Sequence, residues 1–204
     1  MIGLWGLWRL HVQRGAEPGA GASGWAVFAF AVTCTALGSA CYHWAPTNAT
    51  LVFDRLPIAW ACAALACAFL AERVAPAWGR AGPLAVALLA ASLSVAWWWF
   101  TEQRGVGDLR PYLFVQFLPM LLVPLALLLK IGTGDPGQVA DNAWWTVLAL
   151  YAAAKGFEMA DQSVLQTLHF TSGHTLKHLL AAAAAWWMLR AASGAGAVNS
   201  GSRR

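Results

Sequence analysis

Apolar positions in this chain come in long unbroken blocks separated by short polar stretches. Six such blocks run over Gly24–Trp44, Leu51–Ala71, Pro83–Phe100, Pro111–Lys130, Asn142–Asp161 and Ser172–Ala192. Each has the roughly 17 to 25 residues that a helix needs to cross the hydrocarbon of a bilayer. The pattern predicts an all-α, polytopic transmembrane helix bundle with six full spans.

The opening, MIGLWGLWRLHVQRG, carries an apolar run of eight residues before Arg9, too short to span. Its charges follow the run, whereas those of a secretory signal precede it. It reads as the tail of a truncated first helix; an interfacial helix anchored by Trp5 and Trp8 is the alternative. Residues 1–192 are then expected to form one bundle domain. By composition, 193–204, SGAGAVNSGSRR, is expected to be a disordered tail.

Composition points to the same solvent. Hydrophobic residues make up 59% of the chain and charged residues 11%, against roughly a quarter charged in a soluble domain. The cations are unevenly placed. Arg9, Arg14, Arg73, Arg80, Lys130, Arg190, Arg203 and Arg204 fall on one side of the predicted membrane; the other side holds mainly Arg104 and Arg110, diluted by Glu102 and Asp108. Short cytoplasmic loops carry the Lys/Arg excess, so the C-terminus is predicted to be cytoplasmic. An alanine- and tryptophan-rich chain with short loops favours a bacterial inner membrane.

The formal charge of +4 reflects this bias. No soluble segment interleaves basic and aromatic residues as a nucleic-acid surface would. Cys34, Cys41, Cys62 and Cys67 lie within the spans without CxxC spacing and read as small packing residues. Many of the 13 tryptophans sit near span ends, where interfacial belts form.

Against this background, GSACYHWAPTNATLVFDRLP, residues 38–57, stands out. Ser39 and His43 are four apart in the last turn of one span and share a helix face. A tight return over 45–50, with Pro46 and Asn48 as turn formers, leaves Asp54 about one turn inside the next span at similar depth. In SGHTLKHLLAA, Ser172 is a candidate N-cap, and His174 and His178 are again four apart. That spacing lets two imidazoles hold one metal, although by itself it also fits a polar seam between helices.

The parity of the crossings adds a further constraint. From His43 the chain crosses four times and then enters the last span from the face on which His43 lies. Ser39, His43, Asp54, His174 and His178 therefore fall in one leaflet layer. Three histidines with an open fourth position are what a catalytic zinc needs. Zn²⁺ acidifies a bound water and polarises a carbonyl, Asp54 is placed as general base, and Ser39 is placed to hydrogen-bond the developing oxyanion or the water. An ionisable group at the bilayer centre costs roughly 2.5 to 3.5 kcal/mol on insertion scales, which argues for a partner or a metal.

Other polar residues have plainer readings. Lys155, Glu158 and Asp161 form a stripe that fits a Lys–Glu pair between helices, and Lys177 points away from the histidine face towards it. His169 reads as a loop histidine. Arg55 and Asn48 lie beside the hairpin, and Gln116, Glu72 and Pro119 carry no specific signal.

The motif Ser39–x3–His43, Asp54 eleven residues on, and His174–x3–His178 resembles the alkaline ceramidase family. These are integral membrane amidases in the wider superfamily that includes the progestin and adipoQ receptors. The resemblance spans about Ser23 to Arg190. It implies a seven-helix fold around a zinc site open to lipid, and hydrolysis of ceramide to sphingosine and a fatty acid. It also implies His43, His174 and His178 as zinc ligands, with Ser39 and Asp54 as catalytic partners. One feature departs from the family: the acidic N-terminal segment that binds calcium in the animal enzymes has no counterpart in MIGLWGLWRL, so no calcium site is supported.

The function expected is a zinc-dependent amidase acting on a ceramide-like membrane lipid, with its site in the non-cytoplasmic leaflet. The alternative is a lipid-sensing receptor or scaffold with a structural zinc. A proton relay would need a polar stripe through the other leaflet, which the sequence does not show.

Overall fold

The structure, a computed structural model, describes residues 1–12, 19–132 and 138–201. Arg14, Arg203 and Arg204 of the charge bias, and 202–204 of the expected tail, lie outside the described residues. Among the described residues the chain is helical, without a strand. The helices are α1 (Ile2–Val12), α2 (Ala22–Trp44), α3 (Asn48–Arg73), α4 (Ala81–Glu102), α5 (Arg110–Leu128), α6 (Asp141–Met159), α7 (Asp161–Leu168) and α8 (Gly173–Gly201), with a 3-10 turn at Pro76–Gly79.

The six expected spans are all helices, but two kinds of helix. α2, α3, α4 and α5 are long and apolar enough to cross a membrane, which marks the chain as a membrane protein. α6 and α8 fall short of that mark because polar residues interrupt them: Asp141, Asn142, Lys155 and Glu158 on α6, and His174, Lys177, His178 and Arg190 on α8. α1, at 11 residues, is about 16 Å long. It packs against α2 and α8 with Gly3 and Gly6 buried.

Of the tail expected from composition, 193–201 are among the described residues. Residues 193–201 continue α8, and Ser193 is buried, its hydroxyl donating to the Leu189 carbonyl at 2.7 Å. The run has no proline, and each residue added to a standing helix gains a hydrogen bond without a new nucleus.

α3 is the hub, packed against α2, α4 and α5, while α6 pairs with α8. Trp144 of α6, 1% exposed, sits between Trp25 of α2 and Phe69 of α3, at ring-centroid distances of 5.8 and 4.9 Å. Met188 and Leu189 of α8 close the same cluster. A second cluster joins Ala59, Ala91, Val95, Trp98 and Tyr112 of α3, α4 and α5. Large apolar side chains such as Leu37, Phe53, Leu93, Phe114, Leu121 and Leu179 face outward, as lipid-facing residues do.

The two ends of the bundle differ. At one, Arg73, buried, pairs with Asp141 at 2.7 Å and donates to the Val139 carbonyl at 2.6 Å. Beside it Glu72 accepts from Trp25 Nε1 at 2.6 Å and from the Val139 amide at 3.2 Å. Glu72, without signal in the sequence, thus ties α2, α3 and the segment before α6. The other end carries the histidines.

Candidate metal centre

The hairpin between α2 and α3 is shorter than expected, because Thr47 and Thr50 start α3 early. Thr47 Oγ1 accepts from the Thr50 amide at 3.2 Å, and Thr50 Oγ1 accepts from the Thr47 amide at 3.0 Å. This capping box satisfies two donors that a helix start leaves orphaned. It turns the chain at once, so the last turn of α2 and the first turns of α3 lie side by side. Gly38, buried, lets them touch: a Cβ there would fall on the Phe53 carbonyl and 3.2 Å from the Asp54 amide. Ser39 and Asp54 are both half-buried around this contact.

α8 begins as anticipated. Ser172 Oγ accepts from the Thr175 amide at 3.3 Å, the N-cap bond. A second acceptor was not anticipated: Asp161, the first residue of α7, takes the His174 amide on Oδ1 at 2.6 Å. That donor, ahead of weaker interactions with Ser172, His174 and Lys177, holds the Asp161 carboxyl below the usual carboxylate range. Glu158 receives Lys155 at 2.7 Å and Lys177 at 3.0 Å, so Lys177 does pair with the α6 stripe. His174 and His178 are left facing α2.

There the three histidines meet. His174 Nε2 lies 3.3 Å from His43 Nε2, His178 Nε2 lies 3.4 Å from His43 Nε2, and His174 and His178 are 2.9 Å apart. Their rings meet edge on, at interplanar angles of 75 to 81°. Neutral Nε2 is either a donor or an acceptor, never both. Three atoms in a closed triangle cannot all be paired donor to acceptor, so one contact at least is between like groups. A cation at the centre removes that conflict by using all three lone pairs.

The dimensions suit such an ion. Zinc–nitrogen bonds of about 2.0–2.1 Å in a tetrahedron put ligand atoms about 3.3–3.4 Å apart. Two of the three observed separations match, and the third is short by about 0.4 Å. His43, His174 and His178 are thus a group able to hold a metal ion. Among the described residues no fourth His, Cys, Asp or Glu joins them. His43 and His178 are exposed and His174 half-buried, so the fourth position is open.

Asp54 is not a member of the ligand group, yet it is near enough to act electrostatically on His178 and on Arg55. Ser39 sits one turn before His43 on α2, and among the described residues its hydroxyl has no hydrogen-bond partner. Arg55 turns away, its guanidinium 3.9 Å from the Trp98 ring centre, and Asn48 donates to Glu102 at 2.9 Å. Neither orients Asp54. His169 is exposed in the turn before α8, outside the ligand group. The cysteines are free, and none joins the group.

Comparison of the chain with family models, with curated proteins and with solved structures finds no match.

Proposed function

We propose that this chain is a zinc-dependent integral membrane amidase that hydrolyses the amide bond of ceramide-like lipids to a sphingoid base and a fatty acid. The observation that carries the reading is the open triangle of Nε2 atoms, drawn from α2 and from α8, 131 residues on. The substrate class rests on the motif that resembles the alkaline ceramidases and on a site to which α2 and α3, both long and apolar enough to cross a membrane, contribute His43, Ser39 and Asp54. The Lys/Arg bias puts the site in the non-cytoplasmic leaflet of what composition favours as a bacterial inner membrane.

Zinc held by His43, His174 and His178 supplies a Lewis acid that brings the pKa of water down to roughly 7 and polarises a carbonyl. Asp54, close to His178 but not among the ligands, takes the proton of the attacking water. It returns that proton to the departing amine nitrogen as the C–N bond breaks and the acyl carbon keeps the hydroxyl. The Ser39 hydroxyl, without another partner, donates to the carbonyl oxygen as negative charge builds on it. Lipid surroundings strengthen both interactions by excluding water.

The test is purification in detergent, metal analysis, and turnover of labelled ceramides and other N-acyl lipids by wild type and His178→Ala. About one zinc per chain and turnover lost in the variant are expected. A metal-free wild type, or equal turnover by both proteins, would overturn the reading.

A further inference from the structure

We propose that Asp161 is a positioning residue for the metal centre: by accepting the His174 amide hydrogen it fixes how α8 is set, and so aims His174 and His178 at His43. This deepens the reading above and rests on the triangle being a metal centre.

The first N–H groups of a helix have no partner within it. In α8 they go to two kinds of acceptor. Ser172 belongs to the same turn, and its bond to the Thr175 amide closes the helix on itself, while its hydroxyl also makes a lesser contact with the Asp161 carboxylate. Asp161 belongs to α7, and its bond to the His174 amide, at 2.6 Å, ties the ligand-bearing turn to a neighbouring helix. Gly173 makes room for the tie: a Cβ there would lie 2.8 Å from Asp161 Cα and fall on the Phe157 carbonyl. One turn earlier, Glu158 holds Lys177. The corner between α6 and α7 therefore grips α8 at residue 174 by the backbone and at residue 177 by the side chain, within the turn that carries both ligands.

What this grip sets is the rotation and height of α8. A ring nitrogen stands about 6 Å from the helix axis, so a rotation of about 10° moves it about 1 Å, beyond the tolerance of a preorganised site. The Asp161 carboxylate acts by where its oxygen lies. The two caps consequently differ in weight: losing Ser172 removes a bond within the helix and a lesser contact to Asp161, whereas losing Asp161 removes the main tie that seats the ligands.

The experiment uses the full chain in detergent, loaded with zinc for affinity by chelator competition and with cobalt(II) for its visible absorption spectrum. Asp161→Ala should lower zinc affinity by about 10- to 100-fold, as loss of an outer support does, and alter the cobalt spectrum. Asp161→Asn keeps an acceptor oxygen at the same reach and should stay near wild type. Asp161→Glu keeps the charge but displaces the oxygen, and should lose affinity. Ser172→Ala should lower the thermal midpoint and change the cobalt spectrum far less than Asp161→Ala does. Wild-type affinity and spectrum in Asp161→Ala would overturn the proposal while leaving the metal centre standing; a wild type that binds no metal would remove both. If Asp161→Ala does not fold, the Asn and Glu variants decide, and Glu binding better than Asn would overturn the proposal.

Discussion

Gly38 lies with its Cα against the carbonyl of Phe53, where any side chain would overlap the oxygen. That oxygen is available because Pro57, four residues on and inside α3, has no N–H to give it. A proline frees an acceptor on one helix, and a glycine lets the other helix close over it with Cα–H contacts. Ser39 and His43 ride on the helix seated by this contact. Gly38→Val should push α2 off α3, at the 1–3 kcal/mol typical of overpacking or more. A lower thermal midpoint in detergent and less than one zinc per chain are the expected results, with Gly38→Ala changing both in the same direction by less.

Proton and metal compete for the same three nitrogens. Zinc retention should fall as pH is lowered into the range where imidazoles take up protons, and loading in that range should release protons. The metal stabilises only the folded chain, so a chelator should lower the thermal midpoint. In His43→Ala, His174→Ala and His178→Ala that chelator effect should vanish, because each variant lacks a ligand. Melting curves with and without chelator across a pH series measure all of this.

The bundle's far end should affect stability alone. Arg73 is 2% exposed and paired with Asp141, which is 44% exposed. Removing one partner of a fully buried pair costs 3–5 kcal/mol, and the partial exposure of Asp141 reduces this to about 2 kcal/mol for Asp141→Ala. Arg73 is about 28 Å along α3 from Asp54. Denaturation should therefore come earlier in Asp141→Ala, while zinc content stays at wild-type level. A loss of zinc in the folded variant would show that the two ends are coupled.

That His43, His174 and His178 come together was legible in the sequence because two rules act on them without tertiary detail. Histidines four apart share a helix face, and the parity of the six expected crossings predicts a return to the end of the bundle that carries His43. The exact spans were less legible. Marking apolar runs by eye puts α6 and α8 with the others, yet their polar residues serve contacts between helices: Asp141 with Arg73, Glu158 with Lys177, and His174 and His178 with His43. Asp161 read as one more member of a charged stripe, since nothing in its spacing shows that the chain bends at Ala160 and brings its carboxylate to another helix's first turn. Glu72 was silent for the same reason, its partners Trp25 and Val139 lying 47 and 67 residues away. Gly38 and Pro57 fell inside the quoted motif, but their joint use of one carbonyl appears only when two helices are packed.

Asp54 and Ser39 separate a hydrolase from a protein that merely holds metal. Neither belongs to the ligand group, so replacing them should leave zinc stoichiometry near one per chain. If Asp54 is the base, Asp54→Asn keeps the shape and removes the proton acceptor, and turnover of ceramide should fall by about 10²–10⁴. Ser39→Ala removes one donor to the developing oxyanion and should cost about 10²–10³ in kcat, with KM little changed, because the bond strengthens only as charge develops. In a receptor with a structural zinc, both variants would bind lipid and metal as wild type does, and wild type itself would release no fatty acid. Zinc content measured beside turnover for the two variants and His178→Ala distinguishes these cases: only an enzyme loses activity in Asp54→Asn while keeping its metal.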